Sequence, residues 1–180
     1  MKRNKFIIIS GFSGSGKTTL AKYLSKHLKI PSFSKDDIKE ELFNTLGWSD
    51  KEWSLKLSVA SINLLYLILE KELQVGKPVI IEANFKSNAK ASLNKLISSY
   101  SAEVLEYHCV ASFEVLSERV KVRAESGERH PGHDKVLMGK IDSESMKALK
   151  IGEMVEVDAN DFSKINYSEL LEKGNIFLNK

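Results

Sequence analysis

The chain has 180 residues, 42% hydrophobic and 28% charged, which suits one globular domain with its own core and excludes a disordered chain. The net charge of +3 is too small to indicate binding to nucleic acid or an anionic membrane. The longest apolar run, Leu64 to Leu69, is far shorter than the roughly 20 residues of a membrane span, and one cysteine, Cys109, cannot form an internal disulfide. We therefore expect a single soluble, cytoplasmic domain over residues 1–180.

Short apolar runs alternate with helical segments along the chain. In chain order, the patterns predict a strand over 6–9, a helix over 17–28, a short strand over 31–34, a helix over 36–43, a long helix ending near 74, a strand over 79–83, a helix over 87–100, a strand over 104–111, a helix over 113–124, a partly helical segment over 134–149, a strand over 153–158 and a helix over 167–172. This alternation indicates a parallel sheet with right-handed crossovers, and hence a three-layer α/β fold.

The long helix has recognisable start and stop signals. Ser49, with Glu52 three residues later, has the form of a capping box, so Ser49 is the predicted N-cap. Gly76 and Pro78 mark the end. Because the middle of this helix is apolar on most sides, we expect it to be buried between other elements.

The segment between the first strand and the first helix is a glycine-rich loop. Its sequence, Gly11-Phe12-Ser13-Gly14-Ser15-Gly16-Lys17-Thr18, matches the complete phosphate-loop pattern. Glycine lets the backbone approach phosphates closely, so that N–H groups and the helix N-terminus face the anion. Lys17 would contact the β- and γ-phosphates, and Thr18 would offer its hydroxyl to magnesium. The predicted nucleotide-binding residues here are Gly11, Ser13, Gly14, Ser15, Gly16, Lys17, Thr18 and Thr19.

The glycine pattern is neither accidental nor typical of the larger nucleotide-binding classes. A chance match to four constrained positions has a frequency on the order of 1% or less at average residue usage. A dinucleotide-binding loop would carry Gly or Ala where this chain has Thr19. The Asn-Lys-x-Asp and Asp-x-x-Gly motifs of small GTPases and the Leu-Ser-Gly-Gly signature of transporter ATPases are absent from the sequence. The small ATP-dependent kinases remain.

Acidic residues follow the second and third strands. Asp36 and Asp37 lie just past the second strand, where the ligand crevice of a parallel sheet opens. Such a pair can coordinate magnesium through water or accept a proton from an attacking hydroxyl, although one of the two could instead cap the next helix. Glu82 ends the third strand and is a candidate to support magnesium or its water shell. Asn84 is either part of this site or a turn residue.

Arginine is concentrated in one short window. The chain has 27 lysines and arginines, and only four of them are arginines. Arg119, Arg123 and Arg129 fall within eleven residues, and the first two share one helix face. Arginine binds phosphate oxygens bidentately, so the window indicates a lid that closes on a triphosphate. The alternatives are a solvated helix face and, for His130 and His133, a metal site, for which two histidines without cysteine are weak support.

These segments together resemble the small phosphate-loop kinases, a group that includes zeta-toxin-like proteins, chloramphenicol phosphotransferase, gluconate kinase and the kinase domain of polynucleotide kinases. The resemblance runs from Phe6 to about Asp161. It implies a three-layer P-loop NTPase fold with five parallel strands in the order 2-3-1-4-5, as in nucleoside monophosphate kinases, and an arginine-rich lid over about 124–138. The acceptor side would lie at about 36–69, with Trp48 and Trp53 either lining it or buried in the core.

The resemblance also implies roles for single residues. Asp36 would be the catalytic base and Asp37 the second candidate. The groups around the transferred phosphoryl would be Lys17, Arg119, Arg123 and Arg129. The magnesium-side residues would be Thr18, Asp37 and Glu82. Asp158 and Asn160 would lie near the adenine. Lys39 would occupy a position that is often arginine in polynucleotide kinases.

We therefore expect an enzyme that uses ATP and Mg²⁺ to phosphorylate a hydroxyl of a small molecule. A polynucleotide 5′-hydroxyl is the alternative acceptor, against which the low net charge and Lys39 argue. A non-catalytic ATP-binding protein or switch is the alternative from another class, against which the acidic pair and the arginine window argue. No membrane partner is expected. The sequence leaves open the identity of the acceptor and the choice between monomer and homodimer.

Overall fold

The computed structural model describes residues 4–126 and 146–180. Within these ranges the elements are β1 (Lys5–Gly11), α1 (Lys17–Leu28), β2 (Ser32–Ser34), α2 (Lys35–Leu46), α3 (Lys51–Gln74), β3 (Val79–Glu82), α4 (Ala89–Tyr100), β4 (Glu103–Val110), α5 (Phe113–Ser126), β5 (Glu153–Asp158), a 3₁₀ helix (Phe162–Lys164) and α6 (Tyr167–Asn179). The strands form one sheet in the order β2-β3-β1-β4-β5, and every neighbouring pair is parallel. The predicted fold class and strand order are confirmed.

Helices cover both faces of the sheet because the central strand is apolar on both sides. Successive side chains of a strand point to opposite faces, so β1 contributes to two separate cores. The core on the side of α3 and α4 includes Phe6, Ile8, Leu65, Leu69 and Leu93. The core on the side of α1 and α6 includes Ile7, Ile9, Leu20, Leu24 and Phe177. The continuous apolar run of the first strand is thus explained by burial on both faces.

The register of the sheet places the strand ends that carry the polar motifs side by side. Ile9 of β1 pairs with Glu82 of β3, and Ser34 of β2 pairs with the same Glu82. On the other side, Gly11 pairs with Cys109 of β4. The phosphate loop, the acidic pair and Glu82 therefore leave the sheet at one edge.

Two expectations for α3 are wrong. Its N-cap is Asp50, whose Oδ1 accepts the backbone N–H of Trp53 at 2.8 Å, and Ser49 lies one residue before it. Aspartate and serine are similarly favourable N-cap residues, so the sequence pattern alone does not distinguish Ser49 from Asp50. The helix is also not buried on most sides: Val59 and Leu67 are 59% and 47% exposed, because only one face of α3 packs on α2 and the sheet.

Several predicted element ends differ from the observed ones. The C-terminal helix continues to Asn179 instead of ending at 172, and Gly174 lies inside it, facing Leu28 of α1. A Cβ at this position would lie 3.2 Å from Cδ1 of Leu28 and 3.3 Å from the Tyr107 hydroxyl. Most of the segment predicted as partly helical, 134–149, lies outside the described residues. Cys109 is buried, and burial raises the pKa of its thiol to about 12.

Among the described residues, α3 is the one helix whose length and composition would let it cross a membrane. Core helices of soluble proteins meet the same criteria. One face of α3 contributes Leu65, Leu69 and Leu73 to the core beside the sheet.

Candidate active site

The phosphate loop connects β1 to α1 and is shaped by its glycines. Gly11, Gly14 and Gly16 have φ of 138°, 84° and 79°, which lie in the left-handed region that other residues adopt at a cost. A Cβ on Gly11 would also lie 2.5 Å from the Cys109 carbonyl oxygen. The loop therefore needs glycine for both its path and its packing. It ends at the N-terminus of α1, where backbone N–H groups favour an anion.

Lys17, Thr18 and Glu82 form a compact cluster at the end of the loop. The Thr18 hydroxyl donates to Oε2 of Glu82 at 3.1 Å, and Nζ of Lys17 lies 3.7 Å from Oε1 of the same carboxylate. Lys17 also donates to the Phe12 carbonyl at 3.5 Å. Both charged side chains are almost fully buried. A buried carboxylate without a cation would be costly, so the ammonium group stabilises Glu82 beside the loop.

The residues present suit a magnesium-bound triphosphate. The glycine cradle has no side chain that would fill the phosphate position, and the buried Ser15 hydroxyl at its base has no hydrogen-bond partner in the protein. The Thr18 hydroxyl and the Glu82 carboxylate are oxygen ligands of the kind that Mg²⁺ prefers. Within residues 4–126 and 146–180 no group of three or more His, Cys, Asp or Glu could hold a metal.

The acidic pair lies in the first turn of α2, directly after β2. The N-cap is Ser34, whose hydroxyl accepts the N–H of Asp36 at 3.2 Å, so neither aspartate is the helix cap. Asp36 is half-buried and forms an ion pair with Lys35 at 3.6 Å. Asp37 is exposed. Helix capping was the alternative explanation for one of the two aspartates. Ser34 performs it instead.

A polar cavity of about 250 Å³ opens beside the cluster, between α1 and β2. The residues that line it and that the sequence singled out are Thr18, Asp37 and Glu82. Its other polar groups are Lys22, Ser25, Lys26, Ser32 and Ser34. Asp36 does not line this cavity, although it lies next to Asp37 in the chain.

Lys39 lies one turn after Asp36 on α2 and is almost completely buried. Its Nζ donates to the Ser54 hydroxyl of α3 at 3.0 Å and lies 5.1 Å from the centre of the Phe43 ring. Burial, with a further contribution from Lys35, lowers the pKa of Lys39 to about 8. Of the two tryptophans, Trp53 donates its indole N–H to the Gly47 carbonyl at 2.9 Å, and neither is buried.

Arg119 packs directly against the phosphate loop. Its Nη1 donates to the carbonyls of Ala159 at 2.7 Å and Gly14 at 3.3 Å. Its Nη2 donates to the Asn160 carbonyl at 3.0 Å. Its guanidinium carbon lies 3.7 Å from the centre of the Phe162 ring. Arg119 therefore joins α5, the phosphate loop and the loop after β5. Arg123 is half-buried one turn further along α5.

The rest of the predicted lid lies outside the described residues. Arg129, His130 and His133 belong to that part, as do residues 127–138 of the predicted lid range. Residues 124–126 form the end of α5.

The loop after β5 is held by its own side chains. Oδ1 of Asp158 accepts the backbone N–H of Asn160 at 2.9 Å and its side-chain amide at 2.7 Å. These hydrogen bonds lower the pKa of Asp158. Oδ1 of Asn160 accepts the Ser112 N–H at 2.8 Å. Both residues predicted to lie near the adenine thus shape the loop that holds Arg119.

Sequence reasoning missed the position of Phe162 and left the role of Asn84 undecided. Phe162 lies on the phosphate loop: a Cβ on Gly16 would lie 2.7 Å from its ring. No local pattern marks this contact, because Phe162 is far from the loop in sequence. Oδ1 of Asn84, after β3, is buried without a hydrogen-bond partner, which a simple turn residue would not explain.

Comparisons with known proteins agree with this architecture. The chain matches a protein family described as AAA domain over residues 6–142. A protein of Chloroflexus aurantiacus J-10-fl, provisionally called a kinase, is 30% identical over 98% of this chain and 99% of that chain, with a TM-score of 0.87.

More distant structures share the fold. The APS kinase of Mycobacterium tuberculosis, in complex with AMPPNP and APS, is 18% identical over the whole of both chains, with a TM-score of 0.65. A gluconokinase of Sinorhizobium meliloti 1021 is 16% identical over 99% of this chain and 94% of that one, with a TM-score of 0.53. No curated protein sequence matches the chain. The family match and the 30% identical relative show that this chain belongs to the AAA domain family of small P-loop kinases.

Proposed function

We propose that the protein transfers the γ-phosphoryl group of ATP to a hydroxyl group of a small molecule in the cytoplasm. The observation that carries the proposal is the convergence of Thr18, Glu82 and Asp37 on one polar cavity beside the phosphate loop. Lys17 lies next to this cavity, with its Nζ 3.7 Å from Oε1 of Glu82. The residues that would bind the phosphoryl donor, Lys17 and Thr18, thus lie next to the carboxylates of Glu82 and Asp37.

On the donor side, the loop N–H groups and Lys17 would bind the β- and γ-phosphates of ATP. Thr18 and Glu82 would hold Mg²⁺, with Asp37 contributing through water. When bound, the ion neutralises charge on the phosphate oxygens. Arg119 is already fixed against Gly14, and Arg123 follows one turn later. We propose that these arginines stabilise the charge of the transferring group.

On the acceptor side, Asp36 would accept the proton of the attacking hydroxyl. The acceptor oxygen then bonds to the γ-phosphorus, the bond to the β,γ-bridging oxygen breaks, and ADP leaves. Most of the rate enhancement would come from positioning and charge stabilisation. Asp37 is the rival base because it lines the cavity, whereas Asp36 is paired with Lys35.

Relatives support a small-molecule acceptor. A similar structure is an APS kinase bound to AMPPNP and APS, and another is a gluconokinase. Their low identity leaves the acceptor of this chain undetermined. A screen of ATP consumption against sugars, nucleosides, antibiotics and 5′-hydroxyl oligonucleotides, with product identified by mass spectrometry, would name it. Oligonucleotide phosphorylation would favour the polynucleotide alternative, and hydrolysis to phosphate alone would favour the switch.

The base assignment makes a specific prediction. Asp36→Asn should lower kcat about 10²- to 10⁴-fold, the usual contribution of general base catalysis, and leave ATP affinity unchanged. The measurements are steady-state kinetics with the acceptor found in the screen and titration calorimetry with a non-hydrolysable ATP analogue.

Asp37→Asn is the matched control for this prediction, because it changes the neighbouring carboxylate in the same way. We expect it to raise the magnesium concentration needed for half-maximal rate. An unchanged rate for Asp36→Asn together with a large loss for Asp37→Asn would transfer the role of base to Asp37.

A further inference from the structure

One face of α3 exposes apolar side chains to solvent. The buried face of this helix, which includes Leu57, Ser61 and Leu65, points toward α2 and the sheet. On the opposite side Val59 and Leu67 are exposed, and Leu55 and Leu64 are exposed nearby. Val59 and Leu67 are eight residues apart and share one side of a helix that is about 36 Å long.

The polar residues on this face follow a simple order. Lys56, Asn63 and Glu70 are seven residues apart and form one row along the helix. Asn63 lies at the centre, with a positive charge toward the N-terminus and a negative charge toward the C-terminus. Val59 and Leu67 flank the row, each four residues from Asn63.

This order is complementary to itself when the helix is reversed. In an antiparallel pair related by a two-fold axis through Asn63, each residue faces the residue equally far from Asn63 on the other side. Lys56 then meets the partner's Glu70, and Val59 meets the partner's Leu67. Asn63 meets its own copy, and a side-chain amide can both donate to and accept from an identical amide. A parallel pair would instead place Lys56 against Lys56, which is repulsive.

We propose that the protein forms a homodimer through the exposed face of α3, with the two helices antiparallel and crossing at Asn63. The interface is isologous, as in most homodimers. Each dimer contains two Lys56–Glu70 pairs and two Val59–Leu67 contacts around the central asparagines.

Present contacts of these residues are compatible with this arrangement. Lys56 forms an ion pair with Glu52 one turn earlier at 2.9 Å, and both side chains are largely exposed. Oε1 of Glu70 accepts the hydroxyl of Tyr100, the last residue of α4, at 3.0 Å, and Glu70 is half-buried. At the ends of the pairing, Glu52 meets the partner's Gln74, and Lys71 can cover the partner's Leu55 with its aliphatic stem.

Charge reversal tests both the dimer and its register. Sedimentation velocity at about 1 to 100 μM should show a dimer for the wild type. Lys56→Glu and Glu70→Lys should each raise the dimer dissociation constant at least about tenfold, because each places like charges opposite one another twice per dimer. The double variant Lys56→Glu/Glu70→Lys should return the dissociation constant to near the wild-type value, because the pairs are restored with their signs exchanged.

The control is Lys95→Glu, which reverses an exposed charge on α4 and should not change the dissociation constant. Far-UV circular dichroism and urea unfolding establish that every variant is folded. A wild type that is monomeric throughout the concentration range overturns the proposal. So do single reversals that leave the dimer intact. A double variant that remains as weak as the single ones refutes the antiparallel register.

Discussion

Three lysines are buried among the described residues, and each is held differently. Lys5 donates to the Phe177 carbonyl at 2.8 Å, near the C-terminus of α6, where the helix dipole favours a cation. Lys17 lies beside the Glu82 carboxylate. Lys39 has the neutral Ser54 hydroxyl as its hydrogen-bond acceptor, so burial is compensated least there. Burial, with a further contribution from the neighbouring charge of Lys35, lowers the pKa of Lys39 to about 8.

The lowered pKa makes the stability of the protein depend on pH in a defined direction. Below pH 8 Lys39 is protonated in both folded and unfolded chains, so the cost of burying its charge is fully present. Between about pH 8 and pH 10.5 the unfolded chain binds more protons, so stability rises with pH. The unfolding free energy of the wild type relative to Lys39→Met should therefore increase, on the order of 2 kcal/mol, from pH 7.5 to pH 10.

Urea unfolding at both pH values, read as the difference between wild type and Lys39→Met, isolates this group because other titrations cancel. A difference that stays constant with pH would show that the amine titrates normally.

At the scale of elements, the junction before β5 depends on a close approach of backbones. A Cβ on Gly152 would clash with the Val104 carbonyl oxygen and lie 2.9 Å from its carbonyl carbon, both backbone atoms of β4. These atoms cannot move without disturbing the ladder in which Leu105 pairs with Glu153. Strand β5 can therefore begin this close to β4 only because residue 152 is glycine.

Gly152→Ala should lower the unfolding free energy by about 1 to 3 kcal/mol, the usual effect of overpacking. Gly174→Ala is the matched substitution, because its Cβ would meet side-chain atoms of Leu28 and Tyr107 at 3.2 and 3.3 Å and no backbone atom closer than that. Alanine would also improve helix propensity by about 1 kcal/mol. We expect a smaller loss, or a gain, in denaturant unfolding. Equal losses for the two variants would contradict the backbone clash.

A buried polar cluster connects β1 and β4 to residues 146–150. The Ser10 hydroxyl donates to Oε1 of Glu106 at 2.8 Å and lies 2.8 Å from Nδ1 of His108. The Glu106 carboxylate accepts the N–H groups of Leu149 and Lys150 at 2.9 and 2.8 Å. Glu106 thus connects the backbone that leads into β5 to Ser10 of β1. Ser10 is the residue directly before the phosphate loop.

At the scale of the whole molecule, the two hydrophobic cores pack on opposite faces of the sheet. The loops that carry the candidate site follow the carboxyl ends of its strands. The glycine loop, α1 and Glu82 are fixed by strands that are buried along their length. Nucleotide binding at this edge of the sheet would therefore be coupled to its folded state. A ligand that binds only the folded state stabilises it in proportion to the logarithm of its concentration.

Thermal unfolding should report this coupling. ADP with Mg²⁺ at about 100 times its dissociation constant contributes about 2.7 kcal/mol, which for a chain of this length raises Tm by roughly 5 to 10 °C. Lys17→Ala should lose the shift, because the charge that contacts the phosphates is gone. Asp36→Asn is the control that should keep it. A shift retained in full by Lys17→Ala would place the nucleotide elsewhere.

The sequence by itself determined the fold class, the strand order expected from the resemblance, and the phosphate loop. These features depend on local patterns: the buried run before Gly11, the alternation of strands and helices, and glycines at fixed spacing before Lys17. Their physical causes act within a few residues, so they can be recognised without knowledge of the rest of the chain. The assignment of residues to catalytic and binding roles remains a prediction.

Tertiary structure decided the contacts between residues that are distant in sequence. It placed Phe162 and Arg119 on the phosphate loop, joined Lys17 and Thr18 to Glu82, and exposed a face of α3 that composition predicted to be buried. These contacts depend on the register of the sheet and on which helix face meets it. No local pattern specifies either, because both result from the packing of the whole chain.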